Sequence, residues 1–256
     1  MSRRWSLLAG LCATVGAVSC IELSVDPTAV GSIEFLAPSN PSIVRRDTLR
    51  DTTGAPERLR ARVFSTGGDE LTDIEVSFVN TDAVVTIRDG NLVVSLLDTS
   101  GSARIYASAA GLQSIVRTFD IIRRPDSIAA SVAEDTVSYP APATGTSIDT
   151  STTIGFVVRS GSNTVASVRV SFELLRGGVP LAVNDTGTYA LVRAGGIVSR
   201  VDTTDASGVA QRTLRVRAVA GTVLRDTIVV RANVSLGGAP LKGAPALMQV
   251  VILPAS

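Results

Sequence analysis

Histidine is absent from the 256 residues, and cysteine (2), tryptophan (1) and tyrosine (3) are nearly so. Without histidine there is no Ser-His-Asp or Cys-His nucleophile and no histidine metal triad. Two cysteines cannot build a metal cluster. Because Cys12 sits inside an apolar amino-terminal run, its removal with that run leaves no internal disulfide. Aromatics make up 4% of the chain, which leaves few platforms for a sugar ring. An excess of one charge is also missing, since 24 basic residues face 23 acidic ones. The arginines occur singly along strand-like stretches, so the concentrated positive footprint that nucleic acid needs is lacking. Lysine, tyrosine or carboxylate chemistry survives these exclusions.

What is present begins with an export pattern. Arg3 and Arg4 precede an uncharged run over 5–18, and Ala-Val-Ser-Cys follows at 17–20. The run is shorter than the roughly 20 residues that span a bilayer, and it matches a signal segment over 1–19. Residues 17–20 resemble a bacterial lipobox, with Ala17 where leucine is commoner. The resemblance implies diacylglycerol on the Cys20 thiol, cleavage before Cys20, and a lipidated tether over 20–26. Ala17 and Ser19 would also suit an ordinary signal peptidase. Ile21, not aspartate, follows Cys20, which points to the outer membrane if the source sorts lipoproteins by that rule. Loss of Arg3 and Arg4 leaves 22 basic against 23 acidic residues, a formal charge of −1.

The remainder reads as all-β. Leu59, Ala61 and Val63 alternate with Arg58, Arg60 and Arg62. Ile74, Val76 and Phe78 alternate with Glu75 and Ser77, and Ala103, Ile105 and Ala107 with Arg104, Tyr106 and Ser108. Period two places each apolar set on one strand face. Turn signals at 66–70, 88–91 and 98–102 separate the runs, and a strand is expected over 114–122. Further strands are expected over 153–160, 165–175, 214–220, 226–234 and 246–254. Residues 138–152, Ser-Tyr-Pro-Ala-Pro-Ala-Thr-Gly-Thr-Ser-Ile-Asp-Thr-Ser-Thr, read as a long loop. Pro125 marks a boundary, giving two β-sandwiches over 27–124 and 125–256.

Two family resemblances follow from these residues. Residues 53–117 resemble the group 2 bacterial immunoglobulin-like domain. Asn80, Thr81 and Asp82 match its polar turn, Gly90 and Gly101 match its two glycines, and Phe78 stands where that family often has tryptophan. In the second half, Thr204, Asp205, Gly208 and Ala210 resemble the signature of the group 1 bacterial immunoglobulin-like domains of invasin and intimin. The upstream stretch 168–175 resembles that family's strand before its first long loop. Together these imply tandem immunoglobulin-like β-sandwiches after an N-terminal signal segment.

The stretch 201–216 could be a turn or a metal site. Asp205 suits an Asx-turn and Gly208 a positive φ. Asp202, Asp205 and the Ser207 hydroxyl could also offer oxygens to calcium, although no bidentate glutamate follows as in an EF-hand. The structural turn is preferred, with no catalytic, cofactor or metal residue assigned. The expected function is a non-enzymatic, membrane-anchored envelope protein for adhesion, display or spacing. Its expected partners are the membrane, through lipid on Cys20, and an envelope or surface protein or glycan. One alternative is a carbohydrate or cell-wall polymer module using Tyr139 and Tyr189 near Asp185. Another is a glycosidase drawing on Glu173, Asp185, Asp202 and Asp205.

Overall fold

The computed structural model describes residue 26, residues 28–183 and residues 187–255. The signal segment, Cys20 and Asp185 therefore lie outside the described residues. In the first half, strand Val30–Phe35 pairs antiparallel with Ala61–Ser65. In the facing sheet, Ser42–Val44 runs parallel to Arg117–Ile122, with Gly101–Ala109 and Ser77–Asn80 following antiparallel. The hairpin of Val85–Arg88 and Leu92–Ser95 is bridged to Thr48 and Arg58.

Alternation turns Ala103, Ile105 and Ala107 fully inward. Ala103 and Ile105 meet Phe35, Leu49, Leu59, Val85, Val93 and Phe119 in one core. The Phe35 ring lies 5.3 Å from Phe78 and 6.4 Å from Phe119, a spacing at which aromatic pairs add about 0.5–1.5 kcal/mol beyond area burial.

The second half repeats the plan at larger scale. One sheet runs Ser127–Ala130, Ser147–Ser160, Val209–Val219, Tyr189–Val192. The other contains Glu134–Tyr139, Ala246–Pro254, Asp226–Asn233 and Arg169–Arg176 in that order, with Glu134–Tyr139 parallel to its neighbour. Ile154, Phe156, Leu214 and Val216 pack across the gap against Phe172, Leu174, Val230 and Val250. The Phe156 and Phe172 rings are 5.8 Å apart. Fully burying one such side chain stabilises by roughly 1.5–3 kcal/mol, and that gain holds the sheets together.

The stretch 138–152 departs from the sequence expectation. It is not one long loop: Tyr139 ends a strand and Ser147 begins another, leaving only 140–146 as connection. Pro140, Pro142 and Gly145 confine the loop to the connection, whereas Ile148, Thr150 and Thr152 are β-branched at period two. Ser147 through Thr152 bond in register to Val219 through Leu214. Asp149 also accepts two bonds from Arg217, at 2.7 and 2.8 Å. Three strands begin later than expected, at Ala61, Ser77 and Arg117, whereas Val209–Val219 is longer than expected and Ala246–Pro254 matches.

Among the described residues no strand pair crosses 123–126. The halves nevertheless touch closely. Val44 and Ile122, from the first half, belong to the hydrophobic cluster of the second.

Candidate functional site

The turn at 205–208 is closed by its own first side chain. Asp205 Oδ1 accepts from Ser207 N (2.9 Å), Ser207 Oγ (2.6 Å) and Val209 N (3.0 Å). These bonds, the Ser207 hydroxyl first, hold the Asp205 carboxyl below the usual carboxylate range. Gly208 has φ +76°, and a Cβ there would lie 2.6 Å from Thr164 Cβ and 2.9 Å from Val165 N. Glycine is required twice over, by backbone handedness and by close approach. The Ser207 hydroxyl thus donates within the turn to Asp205 Oδ1.

The residue before the turn carries an unexpected share of the structure. Thr204 is 3% exposed. Its hydroxyl donates to Val165 O (2.8 Å) and accepts from Val168 N (2.9 Å). It thereby fixes the loop containing Ser167, a non-glycine residue at φ 60°.

The remaining candidates are not gathered into a reactive cleft. Asp202 Oδ1 pairs with Arg212 at 2.7 Å, and its Oδ2 accepts from Gln211 N at 2.8 Å. Glu173 pairs with Arg231 on the neighbouring strand. Tyr139 is buried, donating to Leu224 O (3.0 Å) and accepting from Leu224 N (2.6 Å). Tyr189 is buried too, and its hydroxyl donates to Asp226 Oδ2 at 2.9 Å. Burial first, then that bond, pushes the Tyr189 phenol pKa up. The proposed aromatic platform is thus corrected: both rings are buried in the core of the second half beside Phe156 and Phe172. In the first half, Asp82 takes a two-pronged grip from Arg104, which brings its carboxyl to about 2.

Sequence reasoning missed two features. Arg212 has the inward parity of Ala210, Leu214 and Val216 and is 9% exposed, its charge met by Asp202 and by the carbonyls of Val201 and Gln211. Asp-Thr-Thr-Gly at 51–54 also repeats Asp-Ala-Ser-Gly at 205–208. Asp51 Oδ1 accepts from Thr53 N (2.9 Å), Thr53 Oγ1 (2.7 Å) and Ala55 N (2.9 Å). The shared Asp-x-Ser/Thr-Gly spacing was the available signal.

Two concavities stand out. A groove of about 680 Å³ on the first half is lined by Ile33, Phe35, Pro38, Ile115, Val116 and Phe119 among others. A cleft of about 450 Å³ lies between the halves, walled by Asp120–Arg123 on one side and by Asn163–Ser167 and Ala206 on the other. Among the described residues no group of three or more Cys, Asp or Glu side chains is placed to hold a metal ion. No described helix is long and apolar enough to cross a membrane.

No family model matches the chain, and a search of curated proteins found no match. Among solved structures, the Yersinia pseudotuberculosis adhesin InvE aligns at 15% identity and a TM-score of 0.33, over 88% of this chain and 60% of that one. A PapD-like domain of human CEP192 aligns at 9% identity and a TM-score of 0.26, over 52% of this chain and 87% of that one. The chain thus spans about 60% of the adhesin structure's length, and at these scores neither likeness bears on function. The class rests on strand order. In each half the first strand pairs antiparallel with a strand of one sheet, and the next runs parallel to the last strand of the other. That arrangement defines tandem immunoglobulin-like sandwiches.

Proposed function

We propose that the chain is a non-enzymatic protein of the bacterial cell envelope, anchored through lipid on Cys20, whose tandem sandwiches serve adhesion, display or spacing. The observation that carries the non-enzymatic part is the commitment of the described carboxylate candidates. Glu173 and Asp202 are bound to arginines, and Asp205 closes a turn. The anchoring part rests on the sequence before Cys20, and the outer membrane is the proposed destination. The boundary near Pro125 is proposed as the division between the sandwiches. A partner would be an envelope or surface protein or glycan, met on surfaces other than Tyr139 and Tyr189.

Intact-mass measurement of the chain expressed in a bacterium with active lipoprotein processing tests the anchoring. An amino terminus at Cys20 carrying acyl mass is expected, with the protein in the membrane fraction. A cleaved, unmodified chain in the soluble fraction would overturn it.

A further inference from the structure

We infer that the two sandwiches are clasped into one stiff unit by a three-part joint of main-chain, polar and apolar contacts, so that the chain acts as a spacer of fixed length and angle. Three sets of contacts make the joint. In the first, the Asp51–Ala55 turn of the first sandwich lies against the Gly237–Gly238 turn of the second. A Cβ on Gly54 would stand 2.1 Å from Gly237 C and Gly238 N, and a Cβ on Gly238 would stand 2.6 Å from Thr53 O. No side chain fits between these turns, so the two main chains are in direct contact.

The second contact is centred on Ser167. Its carbonyl accepts from Ser42 Oγ at 2.7 Å, and its hydroxyl donates to Asp120 Oδ2. Arg169 adds a bond to Ser39 O at 2.9 Å. Ser167 holds a left-handed backbone that serine seldom adopts, a strain that persists where surrounding structure over-determines it. The third contact is apolar: Val44 and Ile122 bury into the second sandwich's cluster. Polar, apolar and main-chain contacts together oppose both twist and bend, whereas a linker alone would leave the domains free to move.

This inference goes beyond the anchoring proposal. A chain that carried no lipid would sink that proposal and leave the joint intact. The test is backbone ¹⁵N relaxation on the purified chain with matched glycine variants. Gly54 and Gly68 have nearly equal φ, +91° and +94°, but only Gly54 faces the other sandwich, and nothing lies within 4 Å of a Cβ on Gly68. Gly238 and Gly178 form a second such pair, at +82° and +81°. Wild type, Gly68→Ala and Gly178→Ala should each show one rotational correlation time shared by both halves. Gly54→Ala and Gly238→Ala should split it into two shorter ones while the chemical-shift dispersion of each half persists. Separate tumbling of the halves in wild type would overturn the joint. So would equal uncoupling by the matched controls, or a shared correlation time that survives in both Gly54→Ala and Gly238→Ala. Should either of these variants lose dispersion in one half, the wild-type measurement and the other pair still decide.

Discussion

Asp51 and Asp205 hold the same turn, one in each sandwich. Each uses a single carboxylate oxygen to take a main-chain N–H and a hydroxyl from the residue two positions on, and an N–H from the residue four positions on. Each is followed at the third position by a glycine of positive φ. The turn predicted over 205–208 therefore recurs in the first half. In the wild-type chain, addition of calcium or chelator should leave the urea midpoint unchanged. A calcium-dependent rise that disappears in Asp205→Ala would revive the metal site.

Gly208→Val should destabilise the second sandwich by more than the roughly 1–2 kcal/mol that a Cβ costs in a left-handed position. The excess comes from contact with Thr164, Val165 and Val158 O, the last at 3.0 Å from the added carbon. Gly161→Val is the comparison, with φ +60° and nothing within 4 Å of its Cβ. Urea unfolding of both variants checks it. Equal losses would show that close approach at Gly208 contributes nothing.

Thr204→Val should cost about 1–3 kcal/mol, because it leaves the Val168 N–H and Val165 carbonyl without their buried partner. The side chains are of similar volume, so packing changes little. Chemical denaturation reads the loss. A change below a few tenths of a kcal/mol would remove Thr204 from its place under the 165–168 loop.

Arg212 and Asp202 predict an asymmetry. Removing the acid in Asp202→Ala leaves a guanidinium with little water and should cost about 2 kcal/mol. That is below the roughly 3–5 kcal/mol of a fully buried pair, because Asp202 is about a quarter exposed. Arg212→Met, which removes the charge and keeps much of the volume, should cost less than Asp202→Ala. The reverse order in urea midpoints would contradict the assignment of Arg212 as a buried cation.

Acid stability follows from Asp82. Its folded pKa, brought down by Arg104 from 3.8 to about 2, lies below the unfolded value. The stabilisation is therefore complete above the unfolded value and is lost as pH falls through the folded one. Asp51 and Asp205 are shifted the same way by their turn hydroxyls. Wild type should lose stability between about pH 4 and pH 2, and Asp82→Asn should lose less over that interval. Midpoints measured from pH 6 to pH 2 with equal slopes for both proteins would contradict this.

The amino-acid pattern alone specifies the strands whose two faces differ in polarity. Ala103, Ile105 and Ala107, or Leu214, Val216 and Ala218, go inward because period-two alternation leaves no other way to bury them. It also determined the turn at Asp205, since an aspartate's reach to its own backbone and a glycine's freedom in φ are local properties. Tertiary structure decided the rest. Ser147–Thr152 have Ile148 as their one apolar residue, and pairing with Leu214–Val219 brings them into the sheet. Arg212 shares the parity of core residues, and only the strand carrying Asp202, folded alongside, makes an inward cation tolerable. Tyr139 and Tyr189 are composed like sugar platforms, yet both rings are buried in the core of the second half. The joint is the extreme case, where Gly54 meets Gly238 across a long stretch of chain. Contacts between main chains carry no side-chain pattern for a sequence to display.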